Sequence, residues 1–456
     1  MKPYSRTETV WQRMNDEERA ACHAYGDRYK AFLNVARTER LASREIVRQA
    51  QAAGFRPLSE CTALHPGDKV YYHHKHKSVI LAVIGTDELT TGLKMVGSHI
   101  DSPRLDLKAN PLDEKEGLVF LRTHYYGGIK KYQWVTMPLA LVGVVVTRDG
   151  ASVDVAIGLD ADDPVLYITD ILPHLGQTQA TKKIGDAITG EMLLPVIGGH
   201  ADGDTSAKDM ILRLLADKYG IEEEDFTSAE LEVVPAQDAR DVGLDRAFVM
   251  GHGHDDRVCS FGNLEAILAA TPGRKTQVAL FTDKEEIGSY GNTGVNSSYV
   301  VDFIMDMLAL CGHDDHRALR DTLRHTEILS ADVTASLDPT FADVMERNNA
   351  SLTGYGIALT KYTGSRGKSG SNDANAEFVG KVRKIFNDNN VPWQIGELGK
   401  VDQGGGGTIA LYLAAWGCEV VDCGVPMLSM HAPLELVEKA DAYTAYLAYR
   451  AFFESN

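Results

Sequence analysis

From residue 248 onwards, short apolar runs alternate with segments that have the periodicity of amphipathic helices, and this alternation constrains the possible folds most strongly. Val258, Phe261 and Leu264, for example, recur at helical spacing before the apolar run 277–281. Strands that alternate with helices pair mostly in parallel, and the helices cover both faces of the sheet. We therefore predict an α/β fold with a doubly wound, mostly parallel sheet and helices on both faces.

The middle of the chain interrupts this pattern. The apolar run 141–146, the turn Asp149-Gly150 and the alternating residues 153–157 predict a β-hairpin. Further short strands follow, with one helix expected over 205–219 and ended by Gly220. We therefore expect a β-rich domain inserted into a catalytic domain, with the first part of the catalytic domain over 1–105, the insert over 106–243 and the second part over 244–456.

Helices are predicted at both ends of the chain. Residues 5–53 have a helical apolar stripe near their end, and Gly54 is a suitable residue to terminate a helix. A final helix is expected from Leu434 onwards.

Composition and charge exclude several classes of partner. The chain has 456 residues and a formal net charge of −18, whereas nucleic acids and anionic membranes attract a basic protein surface. We therefore expect neither as a partner. The first residues lack the apolar segment of a secretory signal, and the six cysteines include no C-x-x-C pair. Both observations predict reduced thiols and a cytoplasmic protein.

Residues able to bind metal ions follow several of the predicted strands. Ligands bind at the carboxyl ends of parallel strands in open α/β sheets, so side chains there are expected to converge. Taken singly, each candidate also fits a helix cap, a turn or a hydrogen-bonded core histidine. Together they form a set of imidazoles and carboxylates that suits two divalent cations such as zinc. The candidates are His99, Asp255, Glu286, Asp332 and His431.

Two further acidic residues have possible catalytic roles. Glu285 precedes a candidate ligand and could take a proton from the attacking water as general base. Asp101 lies two residues after His99 and could accept the second N–H of that imidazole, although a surface position fits it equally well. The glycine-rich segment 404–407 before Thr408 could offer the backbone N–H groups of Gly406 and Gly407 to a substrate carbonyl. A flexible turn is the alternative for this segment.

Four blocks of sequence resemble those of the aspartyl aminopeptidase family, and they occur in the same order along essentially the whole chain. The first two blocks are highly specific. They are the segment 99–108 (HIDSPRLDLK), the segment 283–289 (DKEEIGS), Ser330-Ala331-Asp332 and Met430-His431. Members of this family are dinuclear zinc exopeptidases, so the resemblance implies two bound divalent ions, with zinc preferred and cobalt or manganese as alternatives.

The resemblance also implies a role for each candidate residue. Asp255 would bridge the two ions, and Glu285 would be the general base. His99 and Asp332 would hold one ion, and Glu286 and His431 would hold the other. This chain reads Asp255-Asp256-Arg257 where many members have Asp-Asn-Leu, so Asp256 remains an alternative bridge.

Substrate and assembly expectations come from the same resemblance. The insert would serve dimerisation, and dimers would assemble into tetrahedral dodecamers in which a histidine of the insert reaches a neighbouring active site. His174 is the nearest match to that histidine, and Lys361 matches a lysine that binds an acidic side chain. The resemblance therefore predicts a metallo-aminopeptidase that removes N-terminal Asp or Glu from peptides.

Other functions remain open at this point. A related branch of metallo-aminopeptidases prefers leucine. A carboxypeptidase or deacylase could use the same sheet, and a non-catalytic assembly protein could hold the metals structurally, although such a protein would not need the additional Glu285.

Overall fold

The central strands are buried on both faces, as their uninterrupted apolar sequences require. Every residue of the strand Ser78–Val83 is buried. Successive side chains of a strand point to opposite faces, and here Val79 and Leu81 belong to one hydrophobic cluster while Ile80 and Ala82 belong to another. The sheet therefore has an apolar layer on each side.

The computed structural model describes residues 4–313 and 315–455. Its strands are β1 (Arg56–Pro57), β2 (Lys69–His74), β3 (Ser78–Val83), β4 (Lys94–His99), β5 (Arg104–Lys115), β6 (Leu118–Tyr126), β7 (Pro138–Val146), β8 (Ser152–Ile157), β9 (Leu166–Tyr167), β10 (Val196–Gly198), β11 (Ala229–Pro235), β12 (Arg240–Val242), β13 (Phe248–Gly251), β14 (Gln277–Thr282), β15 (Glu327–Ser330), β16 (Thr334–Ala335), β17 (Ile357–Thr360), β18 (Trp393–Ile395), β19 (Glu419–Gly424), β20 (Pro426–Leu428) and β21 (Glu435–Glu438). Its helices are α1 (Val10–Arg13), α2 (Asp16–Val35), α3 (Glu39–Ala52), α4 (Gln177–Ala180), α5 (Ile184–Ala187), α6 (Ala207–Tyr219), α7 (His254–Ala269), α8 (Tyr299–Leu310), α9 (His316–Arg324), α10 (Ala376–Asp388), α11 (Ala410–Ala414) and α12 (Lys439–Glu454).

The first compact unit contains the described residues up to Asp101, Ala239–Met430 and those from Glu435 onwards. Its central sheet has the order β1-β2-β3-β14-β4-β15-β19-β17-β18. The pairs in the middle of the sheet, β14 with β4, β4 with β15 and β15 with β19, are parallel. The pairs β2–β3, β3–β14 and β17–β19 are antiparallel. The fold is thus mixed α/β with several sheets, and a smaller sheet has the order β12-β13-β21-β20-β16.

The second compact unit contains Ser102–Asp238 and His431–Leu434. It is built on a sheet of order β11-β5-β6-β10-β9-β7-β8. The predicted hairpin is present, since β7 and β8 are antiparallel with Val146 opposite Ser152. The predicted helix is α6, and it ends at Gly220, whose φ of 69° lies in the left-handed region.

The prediction that residues 5–53 are helical agrees with the structure, in which α1, α2 and α3 occupy most of this region. Asn15 and Thr38 accept backbone N–H groups and start the second and third of these helices. The expected helix from Leu434 is wrong at its start. Residues Glu435–Glu438 form β21, which pairs with β13 and β20, and the helix begins at Lys439.

All six cysteines are free thiols. Within residues 4–313 and 315–455, no helix combines the length and the apolar character needed to cross a membrane.

Candidate metal centre and active site

Strand β4 places its last residue, His99, between two neighbouring strands that also lead to acidic residues. Thr282 of β14 pairs with His99, and the short turn Glu285–Ile287 follows β14. On the other side Ser330 of β15 pairs with Gly97, and Asp332 follows two residues later. Because the three strands are parallel, their carboxyl ends meet at one edge of the sheet.

Three carboxylates lie close to the Nε2 atom of the His99 imidazole. Its Nε2 atom lies 3.2 Å from Oδ1 of Asp255, 3.8 Å from Oε2 of Glu285 and 3.8 Å from Oδ1 of Asp332. Two groups could each hold a metal ion, namely His99 with Asp255 and Glu286, and His99 with Glu285 and Asp332. In each group the ligand atoms lie within 4.8 Å of one another. The five residues that share this space all belong to the first unit.

Asp101 links the imidazole to the acidic turn. Nδ1 of His99 lies 3.1 Å from the backbone carbonyl of Asp101 and 3.3 Å from its carboxylate. The two carboxylate oxygens of Asp101 accept the backbone N–H groups of Glu285 and Glu286, each at 3.2 Å. Asp101 is fully buried, so the alternative of a surface position is wrong.

The two adjacent aspartates at the start of α7 have different surroundings. The backbone N–H of Asp255 donates to Oε2 of Glu435 at 3.1 Å, and its side chain belongs to one of the two potential metal groups. Asp256 is fully buried, belongs to neither group, and its Oδ2 accepts the backbone N–H of His99 at 3.3 Å. The peptide bond between the two aspartates is cis.

Burial and like charges make the cluster electrostatically unfavourable by itself. Burial raises the pKa of Asp332 well above its usual range, and the nearby Glu285 and Asp256 carboxyls add to the rise. Burial alone would lower the pKa of His99, but hydrogen bonds with Asp101 and Asp255 raise it well above the usual value.

A divalent cation fits this arrangement. The Nε2 atom of His99 is buried and faces the carboxylates of Asp255, Glu285 and Asp332. One imidazole and four carboxylates are suitable ligands for zinc, and cations would offset the repulsion between the acids.

The remaining predicted site residues are not part of the two potential metal groups around His99. His431 belongs to the second unit, where its Nδ1 lies 2.7 Å from the carbonyl of Gly128. His174, also in that unit, is exposed in the short turn Pro173–Leu175. Lys361 directly follows β17, with its Nζ 3.9 Å from Oδ1 of Asp373. The participation of these residues in the site stays a prediction.

The glycine-rich segment precedes α11, which starts at Ala410. The carbonyl of Gly406 accepts the backbone N–H of Gly364 at 2.6 Å. The roles of Gly406 and Gly407 in substrate binding also stay predictions.

Sequence reasoning missed Glu435. This residue is buried at the start of β21 and accepts the N–H of Asp255, which lies 180 residues away in the chain. Glu435 and Val437 are both buried and two residues apart in β21. The sequence Glu435-Leu436-Val437-Glu438 has no alternation of polar and apolar residues, so it gives no local signal of an inward-facing acid.

A buried cluster of histidine and carboxylates at the carboxyl ends of parallel strands is typical of a metal-dependent hydrolase. Comparison with known proteins identifies the kind of hydrolase. The sequence model of the family described as aminopeptidase I zinc metalloprotease (M18) matches residues 32–453. The chain belongs to this family and is an aminopeptidase.

Individual relatives match the sequence of this chain over nearly its whole length. The chain is 48% identical over 454 residues to a probable M18 family aminopeptidase 1 from Clostridium acetobutylicum, covering 98% of both chains. It is 43% identical over 449 residues to the corresponding protein of Thermotoga maritima, again covering 98% of both.

Solved structures of M18 aminopeptidases also match this chain over nearly its whole length. The crystal structure of an M18 aminopeptidase from Thermotoga maritima has a TM-score of 0.94 at 42% identity, over 98% of this chain and 99% of that one. Aminopeptidase I from Clostridium acetobutylicum has a TM-score of 0.93 at 44% identity, over 99% and 100%. The predictions of an aminopeptidase and of a zinc-dependent family are confirmed.

Proposed function

We propose that this aminopeptidase uses two divalent cations to hydrolyse the N-terminal residue, preferably Asp or Glu, from peptides. The observation that carries the proposal is the pair of ligand groups that share His99. A dinuclear site needs one bridging carboxylate and further ligands for each ion, and the four carboxylates of these groups could supply them beside His99, whose imidazole nitrogen would bind one ion.

The ligands divide as follows in this proposal. Asp255 would be a ligand of both ions, His99 and Asp332 would hold one, and Glu286 and His431 would hold the other. Asp255 is favoured over Asp256, because Asp255 belongs to a potential metal group whereas Asp256 does not and directs its Oδ2 at the backbone N–H of His99. When bound, zinc supplies Lewis acidity that lowers the pKa of water and polarises the scissile carbonyl; cobalt and manganese are the alternatives.

Glu285 is the proposed general base, which takes the proton from the attacking water and passes it to the leaving amine. Its side chain is 15% exposed, so it can meet both the buried cluster and a substrate. Asp101 orients two partners at once, since it contacts Nδ1 of His99 and the backbone N–H of Glu285.

Substrate recognition is proposed to involve residues around this sheet edge. The backbone N–H groups of Gly406 and Gly407 would bind the substrate carbonyl. Lys361 would bind an acidic side chain, and His174 of a neighbouring subunit would complete the site. Asp373 lies near the ammonium groups of both Lys361 and Lys368, and it partly balances their charge. A preference for leucine therefore remains the second candidate.

We also propose that the sheet is doubly wound and that residues 106–243 form an inserted dimerisation domain. The two hydrophobic clusters on alternate residues of the central strands support the first point. A dodecamer is proposed because the S. cerevisiae mApe1 dodecamer has the same fold, with a TM-score of 0.74 at 18% identity. Light scattering after size-exclusion chromatography tests it, and a stable monomer would refute it. A cytoplasmic location is proposed from the free thiols.

One experiment tests the catalytic proposal directly. A panel of aminoacyl chromogenic substrates is assayed with the untreated protein, after exhaustive chelation, and after addition of zinc, cobalt or manganese. We expect chelation to abolish turnover, a metal to restore it, and Asp or Glu substrates to be preferred over leucine. Turnover that survives chelation would refute the metal mechanism, and a faster leucine substrate would refute only the acidic preference.

A further inference from the structure

The glycine-rich segment 404–407 is anchored at its end by a buried carboxyl group. The hydroxyl of Thr408 donates to Oδ1 of Asp422 at 2.7 Å. Asp422 lies inside β19 and is 3% exposed. Burying a carboxyl group within a sheet is unfavourable unless it is hydrogen-bonded, and Thr408 supplies such a bond at the point where the segment enters α11.

This anchor lies close to two strand ends that carry candidate ligands. Asp422 pairs with Ser330 of β15, two residues before Asp332. Ile409 follows Thr408, and its Cδ1 would lie 3.2 Å from a Cβ placed on Gly97, two residues before His99. The absence of a side chain at Gly97 thus gives Ile409 room to pack over β4.

The helix after the anchor also reaches the acidic turn. The hydroxyl of Tyr412 in α11 donates to the carbonyl of Gly288 at 2.7 Å. Gly288 directly follows the turn Glu285–Ile287. The segment from Thr408 to Tyr412 therefore contacts strand β4, strand β19 and the turn that bears the proposed general base.

The path of the glycines themselves is fixed by close backbone contacts. The N–H of Gly404 donates to the carbonyl of Lys400 at 3.0 Å, and the carbonyl of Gly406 accepts from Gly364 at 2.6 Å. A Cβ on Gly405 would lie 2.5 Å from the carbonyl oxygen of Gly364. The segment is therefore held at its start and its middle by backbone and at its end by Thr408.

We propose that Asp422 is a positioning residue, which holds Thr408 and thereby aims the backbone N–H groups of Gly406 and Gly407 at the substrate carbonyl. This inference rests on the proposed function, because it needs those two N–H groups to contact substrate. Asp422 itself acts only through Thr408. A displacement of about 1 Å in a substrate-binding group is enough to lower catalytic efficiency strongly.

Thr408→Val tests the proposal because valine keeps the shape of the side chain and removes the hydroxyl. We expect kcat/KM to fall by about ten- to a hundredfold, as for loss of a hydrogen bond to a charged group, with unchanged metal content. Thr408→Ser restores the hydroxyl and is expected to stay within about threefold of the wild type. The matched control is Thr322→Val in α9, where the buried hydroxyl donates to the carbonyl of Ala318 at 2.8 Å. It is expected to lower the melting temperature without changing kcat/KM.

Asp422→Asn gives a second, independent measurement. The amide keeps an acceptor oxygen but loses the charge, so we expect a smaller loss of about three- to tenfold in kcat/KM. The double variant with Thr408→Val should have about the same kcat/KM as Thr408→Val alone, because both changes act on the same Thr408–Asp422 hydrogen bond. Losses that multiply, or wild-type kcat/KM in Thr408→Val, would overturn the positioning role. Full turnover in Glu285→Gln would instead overturn the proposed function.

Discussion

Replacing Glu438 with glutamine is expected to stabilise the protein at and above neutral pH and to have little effect in acid. Glu438 is 4% exposed at the end of β21, and its carboxylate accepts a hydrogen bond from the indole N–H of Trp11. Burial raises the pKa of this carboxyl from 4.5 to about 7, even though the Trp11 hydrogen bond opposes the rise. Burial and the charge of Glu438 likewise raise the pKa of Asp441, so the substitution also removes a repulsion.

The sign and size of the effect follow from the two pKa values. The unfolded chain releases this proton near pH 4.5 and the folded protein near pH 7, so the folded state holds more protons between them. The free energy of unfolding therefore falls as the pH rises through this window. At about 1.4 kcal/mol per pKa unit, the contribution that is fully present below pH 4.5 and lost above pH 7 is about 3 kcal/mol.

Urea unfolding of the wild type and Glu438→Gln at several pH values measures this contribution. The stability of the variant minus that of the wild type should grow by about 2 to 3 kcal/mol between acid and pH 8. Glu17→Gln, at an exposed position of α2, serves as the control for removal of a carboxylate charge. A difference that stays constant across the pH range would refute the reasoning.

Three further substitutions probe the site and its surroundings. Glu285→Gln should keep its metal content and lower kcat by several orders of magnitude, as checked by elemental analysis and steady-state kinetics. Loss of metal with normal turnover of the metal-loaded fraction would instead identify Glu285 as a ligand. Gly424→Ala should lower the melting temperature and the metal content, because its Cβ would lie 1.6 Å from the carbonyl oxygen of Asp332. Glu435→Gln should weaken metal binding about tenfold or more, because it removes a charged acceptor from the backbone N–H of Asp255. Titration with a competing chelator measures the metal affinity, and an unchanged affinity would contradict this role of Glu435.

Much of the candidate site could be predicted because it follows from local sequence and one rule of topology. His99, Glu286 and Asp332 each follow an apolar strand, and neighbouring parallel strands end at the same edge of the sheet. Asp255 could be included because an acid at the start of a helix is locally recognisable. No knowledge of long-range packing was needed for these four residues.

The rest depends on contacts between distant parts of the chain. Glu435 meets the backbone of Asp255 across 180 residues of sequence, and Asp101 meets that of Glu285 across 184. The strand β21 was mistaken for part of a helix because its register is set by β13 and β20 and not by its own four residues. Local periodicity cannot reveal such partners.

The two ends of β15 show why the site needs cations. Glu327 begins this strand, and burial works to raise its pKa, but Lys94 and Lys381 outweigh burial and hold that pKa below its usual range. Asp332 follows the same strand, and there burial and neighbouring acids raise the pKa and outweigh the opposing effect of His99. The difference lies in the partners, since a buried carboxylate is tolerated when positive charge is close. A divalent cation bound by His99 and the acids would stabilise the ionised carboxylate of Asp332, as the lysines stabilise that of Glu327. Lysines thus balance the buried carboxylate at one end of β15, whereas His99 alone does not balance the acids at the other end, and that cluster suits a bound divalent cation.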